Sequence, residues 1–110
     1  MEPLEAFGVL EMRVGRIVRA ELNERAHKPA YKLWIDFGDE LGERQSSAQI
    51  TALYAADDLV GRQIVAAMNL GEKRIAGFIS QVLVLGVSDA NGDIVLLEPE
   101  RGAPDGARVH

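Results

Sequence analysis

Alternation between apolar and polar positions is the main pattern of the chain, and it predicts strands. Apolar residues recur at every second position from Met12 to Leu22 and again from Tyr31 to Phe37, which is the period of a strand with one face on a core. Gly15 and Arg16 interrupt the first run, so we expect a bulge or bend there. The two faces of this strand are then expected to hold Met12, Val14, Val18, Ala20 and Leu22 on one side, and Arg13, Ile17, Arg19 and Glu21 on the other.

Further strands are predicted along the rest of the chain, although their patterns are less regular. The polar segment Glu43–Gln49 is free of Pro and Gly, and the apolar segments Gln63–Leu70 and Phe78–Val87 flank an exposed basic loop at Gly71–Gly77. Asn91 and Gly92 predict a tight turn with positive φ angles, leading into a last strand. That strand covers Asp93–Glu98, and the residues after it have the composition of turns with little to bury.

Two short helices are predicted. The first begins near Pro3, places Leu4, Phe7 and Leu10 about one turn apart, and ends at Gly8. So short a helix is marginal in water, so its apolar face must pack on the domain or on a second copy of the chain. The second is expected to run from a Thr51 cap to Val60 and to bridge the two halves of the sheet.

Five or six strands and one bridging helix fit a single all-β domain over residues 1–110. Among small barrels, the five-stranded oligonucleotide-binding (OB) fold, here with a short N-terminal helix, matches this arrangement best. The length of 110 residues leaves room for one core only.

Composition limits the possible partners. Twelve Lys and Arg against seventeen Asp and Glu give a net charge of −5, so the molecule repels nucleic acid and anionic membranes unless its cations gather on one face. The N-terminal segment does not resemble a signal peptide, and no apolar stretch approaches a membrane span. We therefore expect a soluble, cytoplasmic protein without membrane insertion.

Residues for catalysis are scarce. Cysteine is absent, and the two histidines, His27 and His110, have no neighbours in the sequence that would make them a triad base or a metal ligand. The glycines fit no phosphate-binding fingerprint. We predict that the protein is not an enzyme and has no catalytic residue, metal or cofactor.

Binding residues are better represented. Lys73 and Arg74 lie in a glycine-flanked loop suited to phosphate or carboxylate groups. Trp34 alternates outward from the core and could stack on a base or be covered by protein; we favour protein because the chain is acidic. Ser46, Ser47 and Gln49, on the polar strand, could hydrogen-bond a peptide without reading its sequence.

Four segments carry a resemblance to a known family. YKLWIDFG, SSAQIT, NLGEKRIAGFISQVLVLG and IVLLEP occur in this order, and with them the chain resembles the CsaA family of export-related chaperones from Leu4 to about Arg108. The resemblance implies an OB-fold homodimer that binds unfolded or precursor polypeptides and assists Sec-dependent secretion, with the export ATPase SecA as a partner.

The CsaA family is itself similar to the tRNA-binding domains of structure-specific tRNA-binding proteins and of methionyl-tRNA synthetase extensions. Asn69, Lys73, Arg74, Gly77 and Ser80 match that wider pattern. The chain departs from it in two places: Ala76 stands where an Arg is usual, and Val82 and Leu83 replace a small residue and a methionine. The missing Arg removes one phosphate contact.

Two functions therefore remain open, with a pure dimerisation scaffold as a third possibility. The first is a dimeric chaperone joined through Leu4 and Phe7 together with Leu97 and Pro99. The alternative is a tRNA- or RNA-binding module. The predicted peptide- or RNA-binding residues are Lys32, Trp34, Ser46, Ser47, Gln49, Asn69, Lys73, Arg74, Phe78 and Ser80.

Overall fold

A computed structural model of the protein describes all residues from 1 to 110. It contains three short helices and nine strands. The helices are α1 (Pro3–Val9), α2 (Gly38–Leu41) and α3 (Ala56–Leu59). The strands are β1 (Met12–Leu22), β2 (Tyr31–Asp36), β3 (Glu43–Ala48), β4 (Gln63–Ala67), β5 (Lys73–Ile75), β6 (Phe78–Ser80), β7 (Leu83–Val84), β8 (Gly86–Ser88) and β9 (Ile94–Leu96).

Five antiparallel strands form a nearly closed barrel, which confirms the predicted all-β OB-like fold. Their order is β3, β2, β1, β4 and β7, while β5–β6 and β8–β9 are separate hairpins. The two edges approach where Gln45 of β3 meets Gln81: the Gln81 N–H donates to the Gln45 carbonyl at 2.8 Å, and the Gln45 N–H donates to the Gln81 side chain at 3.0 Å. Beyond this point the seam between β3 and β7 stays open.

The bulge in β1 lies at Val18, so the predicted position at Gly15 and Arg16 is wrong. Pairing with β2 shifts by one residue between Ile17 and Arg19, and one extra residue in a strand exchanges the faces of all residues on one side of it. Ile17 and Ala20 therefore share the core face, whereas Val18, in the bulge, and Leu22, at the end of the strand, are exposed. Gly15 pairs regularly with Ile64 instead.

The core is one cluster of twelve buried side chains inside the barrel. Alternation along β2 places Leu33 and Ile35 in it, fully buried, and Phe37 follows directly after the strand. The largest members that are almost completely buried are Phe37, Ile17, Leu33, Ile35, Leu59 and Ile64.

The bridging helix is much shorter than predicted. Only Ala56–Leu59 are helical, and Thr51 lies in a turn and does not cap a helix. The Tyr54 carbonyl, which a longer helix would use, accepts a hydrogen bond from the Tyr31 hydroxyl at 2.8 Å. The hydrogen bond from Tyr31 thus takes the place of the predicted first helical turn. Leu59, the buried residue of α3, packs in the core.

The predicted fifth strand, Phe78–Val87, is divided into three. Its parts pair in turn with β5, β4 and β9, because a curled sheet offers no single neighbour long enough for ten residues. The basic loop Gly71–Gly77 is also partly a strand, since β5 lies within it. Ala76 and Gly77, with φ angles of 48° and 80°, form the two-residue turn to β6.

The β8–β9 hairpin confirms the predicted turn at Asn91–Gly92, with one difference. Only Gly92 has a positive φ angle, of 83°. The Asp89 carboxylate accepts hydrogen bonds from the N–H groups of Asn91 and Asp93. The turn therefore depends on Asp89 as well as on the Asn-Gly pair.

The C-terminal tail is part of the fold, which corrects the expectation that it buries little. Val14 N–H donates to the Ala107 carbonyl, and Gly106 N–H donates to the Val14 carbonyl. The side-chain amide of Gln63 donates to Asp105 at 2.9 Å. β2 pairs with β1 only from Arg16 onward, and the tail therefore pairs with the earlier part of β1, at Val14.

Candidate polypeptide and nucleic-acid interface

Trp34 lies on the outer face of β2 and is half-buried, covered by its own chain. The Arg19 guanidinium is 4.4 Å from the centre of the indole ring, and the Phe78 ring meets it edge-on at 5.5 Å. Glu21 forms an ion pair with Arg19. The cover that we expected from another protein therefore comes in part from Arg19 and Phe78, and an added ring can stack on that indole face only if Arg19 moves.

Four polar residues form a row across the outside of the barrel, beside Trp34. Lys32 is opposite Ser47, the Ser47 N–H donates to the Ser80 hydroxyl at 3.1 Å, and Ser80 is opposite Lys73. Three strand spacings of about 4.8 Å separate the two ends of the row. The sequence-predicted residues Lys32, Ser47, Ser80 and Lys73 are thus brought together as a polar stripe with a cation at each end.

Arg74 does not join this stripe. It is opposite Ile79 in the β5–β6 hairpin, and neighbouring residues of a strand point to opposite faces. Because Lys73 and Arg74 are neighbours in one strand, their charged groups lie on opposite faces of the hairpin.

Two other predicted binding residues have structural positions. Ser46 is completely buried opposite Leu33, with its hydroxyl donating to the Ser47 carbonyl at 3.0 Å. Asn69 uses both ends of its amide: it accepts from Glu11 N–H at 2.9 Å and donates to the Val9 carbonyl at 2.8 Å. Ser46 therefore belongs to the core, and Asn69 fastens the end of α1 to the end of β4.

An apolar groove follows the open seam between β3 and β7. Its volume is about 390 Å³, and its lining is mainly aliphatic. It adjoins a second cavity of about 450 Å³, which includes Lys73 and Ser80, through the shared residues Ser47 and Leu83. This seam groove is lined by Ser47, Gln49, Ile50, Leu83, Ile94 and Leu96, among others.

The polar groups of this groove lie at its edge. Gln49 directly follows β3 and is exposed, and neither its backbone N–H nor its carbonyl has a hydrogen-bond partner in the protein. Leu83 is half exposed. The seam thus offers aliphatic surface together with free backbone hydrogen-bonding groups, which is the combination an extended polypeptide requires.

Helix α1 has no buried residue, although it is firmly attached at its end. Leu4 and Phe7 are exposed, while Asn69 holds Val9 and the Arg108 guanidinium donates to the Gly8 carbonyl at 2.9 Å. Leu97 is also exposed, and Pro99 is half-buried. The molecule therefore presents an apolar helix face with no cover of its own.

The protein offers little for catalytic or metal chemistry. No group of three or more His, Asp or Glu side chains is placed to hold a metal ion. Hydrogen bonding with Glu100 raises the pKa of Arg101, which is fully exposed on the tail and does not line the groove. None of the three helices has the length and apolar character needed to cross a bilayer.

Known proteins resemble this chain over almost its whole length. Residues 12–108 match the family described as "Putative tRNA binding domain". The crystal structure of chaperone CsaA from Bacillus anthracis is similar with a TM-score of 0.92 and 49% identity, covering 100% of this chain and 99% of that one. The CsaA chaperone structure from Picrophilus torridus gives 0.91 and 44%, covering 100% of both chains.

The curated relatives are much longer. Methionine–tRNA ligase of Methanothrix thermoacetophila is 36% identical over 107 residues, which is 97% of this chain and 15% of the ligase. The likeness to that enzyme therefore concerns one segment of it. The barrel, its ordered motifs and the full-length match to two CsaA structures agree: the chain belongs to the tRNA-binding domain family and is a CsaA-like member of it.

Proposed function

We propose that the protein is a chaperone that holds unfolded or precursor polypeptides in the seam groove, as a homodimer, and assists their Sec-dependent secretion from the cytoplasm. The observation that carries this proposal is the aliphatic groove along the open β3–β7 seam, with the unpaired backbone of Gln49 at its edge. The full-length similarity to two proteins named as CsaA chaperones supports it. The family resemblance adds SecA as a partner of the protein.

The groove suits clients of varied sequence. Ile50, Leu83 and Leu96 present aliphatic surface, which is non-directional in its attraction. Backbone groups of Gln49 can bond any peptide backbone, since every residue except proline carries the same donor and acceptor. Ordering a flexible client costs several kcal/mol, so each groove binds weakly and releases its client readily.

Leu83→Asp is expected to weaken client binding at least about tenfold, because a carboxylate in the groove must be desolvated when a client covers it. Folding is expected to persist, since Leu83 is already 50% exposed. The measurement is suppression of aggregation of a chemically denatured test protein over a range of chaperone concentrations. Leu53→Asp is the matched control, because Leu53 is 46% exposed and lies outside the groove. Equal suppression by both variants would contradict the assignment of the groove.

A dimer would give each client two grooves. The uncovered face of α1 supports association through Leu4 and Phe7, as the sequence predicted. Two weak sites on one particle raise the overall affinity for a long flexible chain without any new contact. Dimerisation is therefore part of the proposed mechanism.

RNA binding is the second candidate, and the polar stripe from Lys32 to Lys73 favours it. The Lys32 amino group is 6.0 Å from the ring centres of both Trp34 and Phe78. Cations beside aromatic rings are typical of surfaces that hold single-stranded nucleic acid. The family description, which names tRNA binding, supports the same function.

Lys32→Gln and Lys73→Gln are each expected to lower the slope of log affinity against log salt by about 0.7 to 0.9 in a tRNA titration, because each removes one phosphate contact. Arg44→Gln removes the same charge from a residue opposite Ile35, away from the stripe, and is expected to leave the slope unchanged. Fluorescence anisotropy of labelled tRNA at several salt concentrations gives the slopes. A salt-independent response of the unmodified protein would exclude this candidate.

A further inference from the structure

The tip of the β8–β9 hairpin joins a reactive amide to an unhindered neighbour. Asn91 is exposed, and its side-chain amide has no hydrogen-bond partner in the protein. Gly92 is exposed as well, and a Cβ atom added to it would meet no atom within 4 Å outside its chain neighbours. No side chain therefore screens the backbone nitrogen of Gly92 from the side-chain carbonyl carbon of Asn91.

The reaction open to this pair is deamidation through a ring, favoured by the closeness of the two groups. A bond forms between the Gly92 nitrogen and Asn91 Cγ, and the bond from Cγ to the side-chain nitrogen breaks. That nitrogen leaves as ammonia with the proton of the Gly92 N–H. One water molecule then opens the succinimide ring at either carbonyl carbon. The product is aspartate, or isoaspartate, in which the main chain runs through Cγ, and no oxidant, reductant or cofactor is required.

The two other asparagines of the chain are held in place. Asn69 uses both ends of its amide in hydrogen bonds. Asn23 is 5% exposed, and its side-chain carbonyl accepts from the Arg25 N–H. The residues that follow them, Leu70 and Glu24, carry side chains that hinder attack by the backbone nitrogen. Asn91 is therefore the one asparagine with an exposed amide and a glycine after it.

Asp105-Gly106 in the tail could form the same ring with loss of water, but its reacting atoms are engaged. The Asp105 carboxylate accepts from the Gln63 side chain at 2.9 Å and lies 3.4 Å from the Arg16 guanidinium. The Gly106 N–H donates to the Val14 carbonyl at 2.7 Å. Ring closure there would have to break all of these contacts, so the two glycine-containing pairs differ in reactivity.

Asp89 restrains the reactive pair at the hairpin tip. Its carboxylate accepts from the N–H groups of Asn91 and Asp93 at 2.9 and 3.0 Å. Its backbone carbonyl accepts from the Gly92 N–H at 3.0 Å, which engages the proton that must leave. Ring closure therefore requires the turn to open, and Asp89 acts as a positioning residue that slows the reaction.

The hairpin that carries this tip has little support from the barrel. β8 and β9 form a separate sheet of two strands with three residue pairs, and all three residues of β8 are exposed. A two-stranded hairpin is marginally stable in water, and exposed segments of this kind open locally most readily. Opening of the tip is therefore far easier than unfolding of the core.

The same hairpin forms one wall of the seam groove, through Ile94 and Leu96 of β9. Isoaspartate at position 91 adds one carbon to the main chain of the turn, and turn geometry fixes the register of a hairpin. Aspartate at this position adds a negative charge beside Asp89 and Asp93, and like charges repel. Both products therefore disturb the strand that places the two groove residues.

We propose that Asn91 is a site of spontaneous covalent modification, at which ring closure with Gly92 gives isoaspartate and aspartate at a rate controlled by Asp89. The modified protein loses part of the wall of its seam groove. This consequence for clients rests on the proposed chaperone function, whereas the modification itself does not.

The test is incubation of the folded protein in mildly alkaline buffer, followed by mass spectrometry of the tryptic segment that carries Asn91. Conversion of amide to acid is expected at Asn91 and not at Asn23 or Asn69, and methyl transfer by an isoaspartyl methyltransferase measures the isoaspartate fraction. A synthetic peptide of residues 86–96 should react about ten- to a hundredfold faster, because nothing holds its turn closed. The rate should fall in mildly acidic buffer, since the Gly92 N–H proton has to be removed.

Asp89→Ala is expected to raise the rate in the folded protein about tenfold, because the lost hydrogen bonds to a carboxylate shift the opening equilibrium by about that factor. Asp89→Ser keeps a weaker acceptor at the same place and should react at an intermediate rate. Asp58→Ala is the matched control: it removes an exposed carboxylate from α3 and should leave the rate unchanged.

Suppression of aggregation by fresh and by incubated protein separates the modification from its effect on clients. The incubated protein should lose suppression in proportion to its isoaspartate fraction, while Asn91→Ala, incubated in parallel, should lose none. Full suppression by converted protein would overturn the effect on the groove. Absence of suppression by fresh protein would contradict the proposed function instead, and the mass measurement would stand.

Three results would overturn the modification site itself. The first is the absence of acid at Asn91 after an incubation of about one hundred half-lives of the peptide reaction. The second is conversion of Asn23 or Asn69 as fast as Asn91. The third is an equal rate in Asp89→Ala and Asp58→Ala, which would remove control by Asp89.

Discussion

Phe37→Ala is expected to lower the free energy of unfolding by about 3 to 5 kcal/mol, as measured by denaturant titration at one fixed protein concentration. Phe37 is 1% exposed, and its ring lies over the bare backbone of Gly15: a Cβ atom on Gly15 would be 2.5 Å from the ring. No side chain of β1 stands beside the ring there to fill the space left by its removal, so the cavity persists and its cost is added to the lost burial.

A double-variant cycle tests the same contact more sharply. Gly15→Ala alone is expected to cost about 1 to 3 kcal/mol, because the added methyl overlaps the Phe37 ring. The added methyl would also lie 2.6 Å from Ile35 Cγ2, so the Phe37→Ala background relieves only the overlap with Phe37, and the cost should fall by about 0.5 to 3 kcal/mol. Leu53→Ala, at an exposed turn, should stay within about 0.5 kcal/mol of the unmodified protein. Additive effects of the two barrel substitutions would contradict the packing of Phe37 on Gly15.

The sequence predicted the barrel where one local pattern decided the outcome. Strict alternation along Tyr31–Phe37 placed Leu33 and Ile35 inside and Trp34 outside, as the structure has them. The bulge at Val18 was not predictable in this way, because it depends on the register between β1 and β2 and not on β1 alone. The same reason applies to the tail, whose pairing with Val14 joins residues more than ninety positions apart.

The candidate sites were predictable in smaller part. Lys32, Lys73 and Arg74 were all predicted as binding residues, but the sequence did not show which of them converge: Lys32 and Lys73 share the polar stripe, and pairing across the β5–β6 hairpin turns Arg74 away. The seam groove needs two segments distant along the chain, so no single pattern reveals it.

Phe7→Asp is expected to convert a dimer into a monomer, with at least about a hundredfold weaker self-association, because it would bury an unpaired carboxylate in an apolar contact. Sedimentation velocity over a range of protein concentrations measures the change. The circular dichroism spectrum should remain that of the folded barrel. Helix α1 buries none of its residues within one chain, and Phe7 is 41% exposed, so the substitution costs the isolated chain little.

Val60→Asp is the matched control for this experiment, because Val60 is likewise an exposed apolar residue but follows α3 and not α1. It should leave the dimer intact, which separates the effect of position from the effect of added charge. A Phe7→Asp variant that still sediments as a dimer would place the contact elsewhere. A folded monomer would instead tie the uncovered α1 face, fixed by Asn69 and Arg108, to dimerisation, and the same variant would then show whether client binding at the seam groove needs two copies.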